Sequence, residues 1–341
     1  MIEGLFKNEL TLKRYKRFKT LKRAVASVWV VTALLFFSGT AEFWANSKPL
    51  IMHFAGSTYF PVLKSYYPST FGQEGEVTDY RALDLKADGN WAIWPVVKWD
   101  PYESNKTLDT FPSKPSADNW FGTDDRGRDV LARLIYGFRY SVGFAVLVWF
   151  FSFLIGVVAG AVMGYWGGKA DLFGQRIVEV FGSLPYLLML LTLIAFLGAS
   201  MPLLVGFSVV LQWMPISTFM RAEFLKLRKR EFVEAAKAQG VGTFRILFRH
   251  ILPNALSPLI TFSPTEIAAN IYTLAVLDYL GMGLPPPTPS WGELLQQGQE
   301  YIVIAWWLAL FPSLALTFSL TALTFIGEGV REAFDPRKTL A

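Results

Sequence analysis

Cysteine is absent from this chain of 341 residues, and histidine occurs only twice, at His53 and His250. Without cysteine there can be no disulfide bond and no thiolate metal ligand. Two histidines so far apart do not predict a transition metal site, and no GxSxG or HExxH motif indicates a hydrolase. The sequence therefore predicts neither a metal nor a cofactor bound by this chain.

Charge is missing from long stretches of the sequence. Four runs contain no Asp, Glu, Lys or Arg: Ala24 to Ala41, Tyr140 to Gly168, Val180 to Met220 and Tyr301 to Gly327. A membrane-spanning helix needs roughly 20 such residues. The third run is long enough for two spans, with a turn predicted between Gly198 and Pro202. With 52% apolar residues overall, the chain is predicted to be an all-α integral membrane protein.

A further apolar segment, Ile251 to Gly283, brings the prediction to about six spans. It contains three prolines and two acids, namely Pro253, Pro258, Pro264, Glu266 and Asp278. Prolines interrupt backbone hydrogen bonding, and acids are costly in lipid. We expect this span to be irregular and shielded by protein.

The basic residues predict the orientation of the chain. Eight Lys and Arg residues precede the first span, and eight more lie between Arg221 and Arg249. Since basic loops stay in the cytoplasm, both ends and this loop are expected to be cytoplasmic. The first apolar run exceeds a signal-peptide core, so we expect it to be retained. The net charge of +5 is interpreted as loop charge, with no nucleic acid as partner.

These features divide the chain into five predicted parts. They are a basic segment (1–23), a first span (24–43), a periplasmic loop or cap ending in a surface helix (44–139), a five-helix core (140–327) and a C-terminal tail (328–341). Aromatic residues in the third part fit either a small packed core with a membrane belt or a substrate contact. Thr123 or Asp124 is expected to cap the surface helix.

Glycine recurs every four residues in the second span, at Gly156, Gly160 and Gly164. This spacing places the three glycines on one helix face, where another backbone can approach closely. We interpret the stripe as a helix-packing surface.

The most specific pattern lies in the predicted cytoplasmic loop, residues 221–253. A helix there is expected to end at Gly240, and Thr243 is expected to cap a second helix. The second helix would present one apolar face, made by Phe244, Leu247, Phe248 and Ile251. The small residues Ala235, Ala236 and Ala238 near the bend would let a partner approach, and Glu234 would fix its register. Composition alone fits an amphipathic hairpin on the lipid surface equally well.

Several motifs resemble those of a known transporter family. Glu234, Ala235, Ala236, Gly240, His250 and Pro253 are similar to the EAA loop of importer-type ABC permeases. FGTDDRGRDVLARLIYG (121–137), GYWGGKADL (164–172), PPPTPSWGELLQQG (285–298) and FIGEGVREAFDPR (325–337) resemble dipeptide and oligopeptide permeases. ANSKPLIMHFAGSTYFPVLKSYYP (45–68) further resembles the outer loop of YejE-type permeases of oligopeptide and microcin C importers.

The resemblance implies a type I ABC importer permease in the bacterial inner membrane, with an extended periplasmic loop. Its implied partners are a second permease, cytoplasmic ATPase subunits that hold ATP and magnesium, and a periplasmic solute-binding protein. In such families the EAA loop couples to the ATPase. The sequence agrees with a separate motor because it has no Walker A motif: Ala170 follows Lys169 where Ser or Thr is required.

Glu266 is an acid at expected membrane depth, which costs about 2.5–3.5 kcal/mol without a partner. One hypothesis is that it meets the amino terminus of a peptide in the translocation path. The alternative is a hydrogen bond to a neighbouring helix or contact with the second permease.

Other functions remain open at this stage. Cargo of such a permease could instead be nickel or a sugar-like compound. An ATP-independent secondary transporter or channel is the alternative from a different class, although intramembrane acids are scarce.

Overall fold

The chain folds into a bundle of long helices with a smaller, mostly non-helical part at one end. The structure is a computed structural model and describes residues 9–85 and 89–335. The helices are α1 (Glu9–Thr20), α2 (Lys22–Gly39), α3 (Ala41–Trp44), α4 (Val130–Trp166), α5 (Gly168–Gly182), α6 (Tyr186–Leu197), α7 (Met201–Leu227), α8 (Glu231–Ala238), α9 (Thr243–Arg245), α10 (Leu252–Tyr279), α11 (Trp291–Glu300) and α12 (Trp306–Phe334). A π-helical stretch (Ile246–Ile251) joins α9 to α10, and strands β1 (Ile51–Phe54), β2 (Ser57–Tyr59) and β3 (Trp91–Ile93) precede α4.

Among the described residues, four single helices are long and apolar enough to cross a bilayer: α2, α4, α7 and α12. The pair α5 and α6 reaches the same length but is bent by 77°. The hairpin predicted within residues 180–220 has its turn at Gly198, as expected, but the prediction of its first helix was wrong. In the structure the helical segment before the turn starts at Gly168 and is interrupted before Pro185, which has no N–H to continue a helix.

α10 occupies the position of the remaining predicted span, but it is not among the four or five apolar candidates, so the predicted count of about six is not reached in the described residues. Its backbone is regular. The expectation of an irregular segment was wrong, because α10 continues through both Pro258 and Pro264. Side-chain hydroxyls help satisfy the backbone around such prolines. One of them is Thr261, whose Oγ1 donates to the Pro258 carbonyl at 2.6 Å.

α4 and α7 pack against each other along the glycine stripe. A Cβ added at Gly156 would lie 2.7 Å from the Ile216 Cβ, and one at Gly164 would lie 2.6 Å from the Phe224 Cβ. At Gly160 it would collide with the Ser217 carbonyl oxygen and lie 2.6 Å from the Met220 Cβ. Since glycine has no Cβ, the two backbones can come this close.

The cap, defined as described residues 40–85 and 89–129, has a small core of its own. Its three strands form an antiparallel sheet in the order β2-β1-β3. Met52, Phe71 and Tyr80 are buried against this sheet. The ring centroid of Phe71 lies 5.0 Å from that of Tyr59, in an edge-on arrangement. Contacts between aromatic rings therefore contribute to the stability of the cap.

The helix expected on the membrane surface does not form a separate element. α4 begins at Val130 and continues without interruption to Trp166. Its cap is Asp129, which accepts a hydrogen bond from the Ala132 N–H at 2.7 Å. The predicted caps Thr123 and Asp124 lie six and five residues before the observed cap. Burial raises the pKa of Asp129 to about 6, against the hydrogen bonds from Ala132 and Asn119.

A buried ionic cluster joins the cap to the bundle. Arg133 is fully buried, and its Nη2 donates to Glu293 Oε2 of α11 at 2.5 Å. Its Nη1 donates to the cap carbonyl of Pro101 at 3.1 Å. Arg128 lies beside it and contacts Asp124 at 2.6 Å and Glu293 at 3.1 Å. Residues of the cap, α4 and α11 therefore form one network of ion pairs.

The opposite end of the bundle brings the two ends of the described chain together. Part of the predicted basic segment forms α1, although residues 1–8 lie outside the described residues. Arg17 Nη2 lies 2.8 Å from Glu332 Oε1 of α12, and the Arg14 guanidinium lies 4.2 Å from the centre of the Phe334 ring. The predicted tail, residues 328–341, therefore includes the last turns of α12, which is helical to Phe334. Residues 336–341 of that tail lie outside the described range.

Two further boundaries differ from the prediction. The first span, expected over 24–43, starts at Lys22 and ends at Gly39, where Thr40 separates α2 from the short α3. The core, expected from residue 140, starts at Val130 with α4.

Replacing Gly160 by alanine should destabilise the bundle by about 1–3 kcal/mol, because the added methyl group overpacks the contact with α7. Gly143→Ala in the same helix is the control, because its Cβ would meet nothing within 4 Å and alanine favours helix. Thermal unfolding in detergent measures both. Equal unfolding temperatures for the two variants would contradict the close contact.

Replacing Arg133 by methionine should cost about 1.5–3 kcal/mol, since the partly buried Glu293 carboxylate would lose one of its two charged hydrogen-bond donors and keep only Arg128. Arg176→Met is the matched control: Arg176 pairs with Glu179 at 2.7 Å on the surface, with side chains 72% and 56% exposed. That change should cost no more than about 1 kcal/mol. A similar, small effect of both substitutions on denaturant unfolding would disprove the buried cluster.

Candidate functional site

The segment between α7 and α10 is a helix, a tight turn and a second helical stretch outside the bundle. α7 ends at Leu227, α8 covers Glu231–Ala238, and helical structure resumes at Thr243. We call residues 228–251 the coupling loop. The bend lies at Gly240, as the sequence predicts, with φ of +76°.

Hydrogen bonds fix the turn at Gly240. Its N–H donates to the Lys237 carbonyl at 2.9 Å, and the Val241 N–H donates to the Ala236 carbonyl at 3.0 Å. This pair of bonds is the Schellman motif, in which a residue with positive φ ends a helix. Val241 then packs on the same apolar cluster as α8. Glycine is therefore required by the backbone at this position.

One face of α8 anchors the coupling loop to the bundle. Val233 is fully buried and Ala236 is 7% exposed. Both pack with Phe224 of α7 and with Ile246 and Ile251 of the π-helical stretch. Ala236 therefore does not belong to the small surface patch that the sequence suggested. Ala235, one position earlier, is exposed together with Glu234.

The second helical stretch does not present a single apolar face. Leu247 and Ile251 are buried, whereas Phe244 and Phe248 are 73% and 65% exposed. The prediction assumed an α-helical repeat, but residues 246–251 are π-helical, so the side chains rotate differently. The predicted cap is also displaced, because Gly242 occupies the N-cap position and Thr243 is already helical.

The exposed side of the coupling loop is apolar and aromatic. Phe232, at 42% exposure, joins Phe244 and Phe248 there, beside the exposed Arg245 and Arg249. Large apolar side chains grouped on a surface mark an interaction site more often than single ones do. Sequence reasoning missed these three rings because it assigned two of them to the buried face. Phenylalanines within a basic loop were the available signal.

Direct contacts connect the coupling loop to α4. Arg228 Nη1 donates to the carbonyls of Gly164 and Tyr165, at 3.1 and 2.9 Å. These carbonyls lie in the last turn of α4, where no N–H group of the helix is available to bond to them. Lys237 Nζ of α8 lies 5.8 Å from the centre of the Tyr165 ring. The coupling loop is therefore in direct contact with the C-terminal end of α4.

His250 and Pro253 lie at the start of α10. His250 is half-buried, and its carbonyl accepts a hydrogen bond from Asn254 Nδ2 at 2.7 Å. Pro253 is exposed in the first turn of α10, where its missing N–H costs nothing. The structure thus groups Glu234, Ala235, Gly240, His250 and Pro253 in and beside one loop. Glu266 and the glycine stripe lie apart from it within the bundle.

Comparison with known proteins gives one matching family. Residues 156–340 match the family model described as "Binding-protein-dependent transport system inner membrane component". The "Inner membrane ABC transporter permease protein YejE" of Escherichia coli is 41% identical, over 96% of this chain and 97% of that protein. The "Peptidoglycan transport system permease protein YejE" of Agrobacterium fabrum is 39% identical, over 96% and 93%.

More distant similarities extend to other transporters. The "Dipeptide transport system permease protein DppC" of Bacillus subtilis is 36% identical, over 65% of this chain and 70% of that protein. Among solved structures, an inward-facing form of the MetNI methionine ABC transporter contains a similar chain, with 20% identity and a TM-score of 0.43. It covers 59% of this chain and 96% of that chain.

Replacing Gly240 by proline should open the turn, because proline fixes φ near −65° and lacks the N–H that bonds to Lys237. We expect the local opening free energy to fall by about 3 kcal/mol, which corresponds to roughly hundredfold faster amide exchange. Hydrogen exchange of residues 231–251 in the purified protein measures this. Gly242→Pro is the control, since Gly242 already has φ of −64°. Equal exchange in the two variants would refute the role of Gly240.

Proposed function

Since this chain belongs to the family of binding-protein-dependent transport system inner membrane components, we propose that it is the permease subunit of a peptide importer driven by ATPase subunits on other chains. The fold is that of a type I ABC importer permease. The observation that carries the proposal is the similarity over 96% of the chain to inner-membrane permeases. Among these relatives, several are named for peptides or dipeptides.

The cargo is proposed to be a peptide or a compound that contains one. The Agrobacterium relative is named for peptidoglycan, whose stems are peptides, so its name is chemically consistent with the dipeptide permeases. Microcin C, a peptide-nucleotide compound, falls in the same class. Nickel and free sugars do not share this chemistry.

The ATPase is proposed to bind the coupling loop. The exposed rings of Phe232, Phe244 and Phe248 supply an apolar contact, and Glu234 and Ala235 lie on the exposed side of α8. Interface hot spots are commonly aromatic side chains that become desolvated. ATP and magnesium would be held by that partner, since the chain carries no Walker A motif.

Force from the ATPase would pass into the membrane through two routes. Val233 and Ala236 bury the underside of α8 in a cluster that includes side chains of α4, α7 and α10. Arg228 holds the last carbonyls of α4. A displaced coupling loop would therefore move several helices as one body, as alternating access between two states requires.

A second permease and a binding protein complete the proposed complex. α5 has no buried residue within this chain, and Phe196 at the end of α6 is 84% exposed. A second permease would cover part of this surface. The coupling loop and both chain ends are proposed to face the cytoplasm, and the cap is proposed to face the periplasmic binding protein.

The test is uptake of labelled tripeptide by proteoliposomes that contain this chain with its partner permease, ATPase and binding protein. We expect uptake to require ATP. Phe244→Ala and Glu234→Arg should each weaken ATPase binding, by about 2 kcal/mol or roughly thirtyfold in Kd for the first, with uptake falling accordingly. Membrane insertion should be unchanged.

Phe318→Ala is the matched control, because Phe318 is 64% exposed, against 73% for Phe244, but lies within α12 and away from the coupling loop. It should leave ATPase binding at the wild-type level. ATP-independent uptake would establish a secondary transporter instead. Failure to take up any peptide in the presence of all partners would overturn the cargo assignment.

A further inference from the structure

Glu266 lies near the middle of the bundle and has no partner among residues 9–85 and 89–335. It is 14 residues after Leu252 and 13 before Tyr279, the two ends of α10, or about 20 Å from each. Its side chain is exposed. Among the residues that the structure describes, none forms a hydrogen bond or an ion pair with its carboxylate. An acid at this depth is destabilising unless a cation or water meets it.

Two adjoining cavities share Glu266. The larger, of about 470 Å³, lies between the α5–α6 bend, α7 and α10. The smaller, of about 170 Å³, lies between α4, α7 and α10. Glu266 lines both, together with Pro215 and Ile216 of α7. The carboxylate is therefore placed where the two spaces meet.

The smaller cavity is lined by aromatic rings. Trp149 and Phe153 come from α4, Phe219 from α7 and Phe262 from α10. The centroids of the first two rings are 5.5 Å apart, and those of the other two are 6.2 Å apart. Aromatic faces attract cations, most strongly where water is excluded. Rings beside a carboxylate form a pocket for a cationic group.

The larger cavity has a different lining. Gln212 Nε2 donates to the Tyr186 hydroxyl at 2.7 Å, and Thr218, Asn270 and Thr273 also line it. These groups can donate to or accept from amide groups of a bound chain. The remaining lining is apolar. Such a mixture suits a short peptide better than a simple ion.

No cation of the described residues forms an ion pair with Glu266. Within the described part of the chain, neither cavity is lined by Lys, Arg or His. A ligand that brings its own positive charge would gain the charge-assisted hydrogen bond that Glu266 lacks. A neutral or anionic group would not.

We propose that Glu266 and its aromatic neighbours bind the primary ammonium group of the cargo, and that the larger cavity holds the adjoining peptide. This inference rests on the proposed function, because it takes a peptide as the cargo. It assigns the amine as the cargo group recognised within the membrane. Trp149 faces the ammonium group, and Gln212 and Asn270 face the peptide amides.

The experiment measures equilibrium binding of labelled tripeptide to the complete transporter without its binding protein, so that selection by that protein cannot contribute. The same tripeptide is used with a free and with an acetylated amino terminus. We expect the wild type to prefer the free amine by about tenfold or more, the scale of one hydrogen bond to a charged group. Glu266→Gln should abolish the preference, and Trp149→Leu should reduce it.

Glu266→Asp should retain part of the preference, because the charge remains. Glu328→Gln is the control: it removes one exposed carboxylate at the far end of α12 and should leave the preference at the wild-type value. Equal binding of both peptides by the wild type overturns the inference, as does a preference that survives Glu266→Gln. Peptide uptake by the same wild-type complex shows separately whether the proposed function holds.

Discussion

The close contact of α4 with α7 sets the geometry on which the other parts of this bundle depend. In lipid, apolar side chains gain little by leaving their surroundings for each other, so helices associate mainly by fitting closely. Gly156, Gly160 and Gly164 provide that fit by removing every Cβ from one stripe of α4. The remaining helices pack around this pair. Glu266 of α10 lines the small cavity between α4, α7 and α10.

The coupling loop extends the same contact beyond the membrane. Arg228 follows α7 directly and holds the final carbonyls of α4, so both helices of the pair end at one point. Val233 and Ala236 of α8 pack against that end, and the chain reverses direction at Gly240. The coupling loop therefore has one buried and one exposed face. The buried face packs the loop against the bundle, and the exposed face carries the three phenylalanines on which the proposed contact with the ATPase rests.

Features set by local chemistry were predictable from the sequence. Charge-free runs marked most of the spans, the four-residue spacing marked the glycine contact, and Gly240 marked the bend. Features that depend on several distant segments were not predictable. The π-helical stretch at 246–251 changed which phenylalanines are buried, and no periodicity announces such a stretch. The bend before Pro185 and the continuity of α10 across two prolines likewise depend on neighbouring helices. Ala236 was assigned to the surface because composition cannot tell which side of α8 meets the bundle.

The buried pair of Arg133 and Glu293 has a consequence for biogenesis. Its members are 160 residues apart, so a ribosome working at about 5–20 residues per second makes Glu293 roughly 8–32 s after Arg133. For that interval the N-terminal end of α4 is already synthesised, but Arg133 has only Asp124 of its two acidic partners. The contact that joins the cap and α4 to α11 can therefore form only after most of the chain has been made, which makes closure of this end of the bundle a late step of folding.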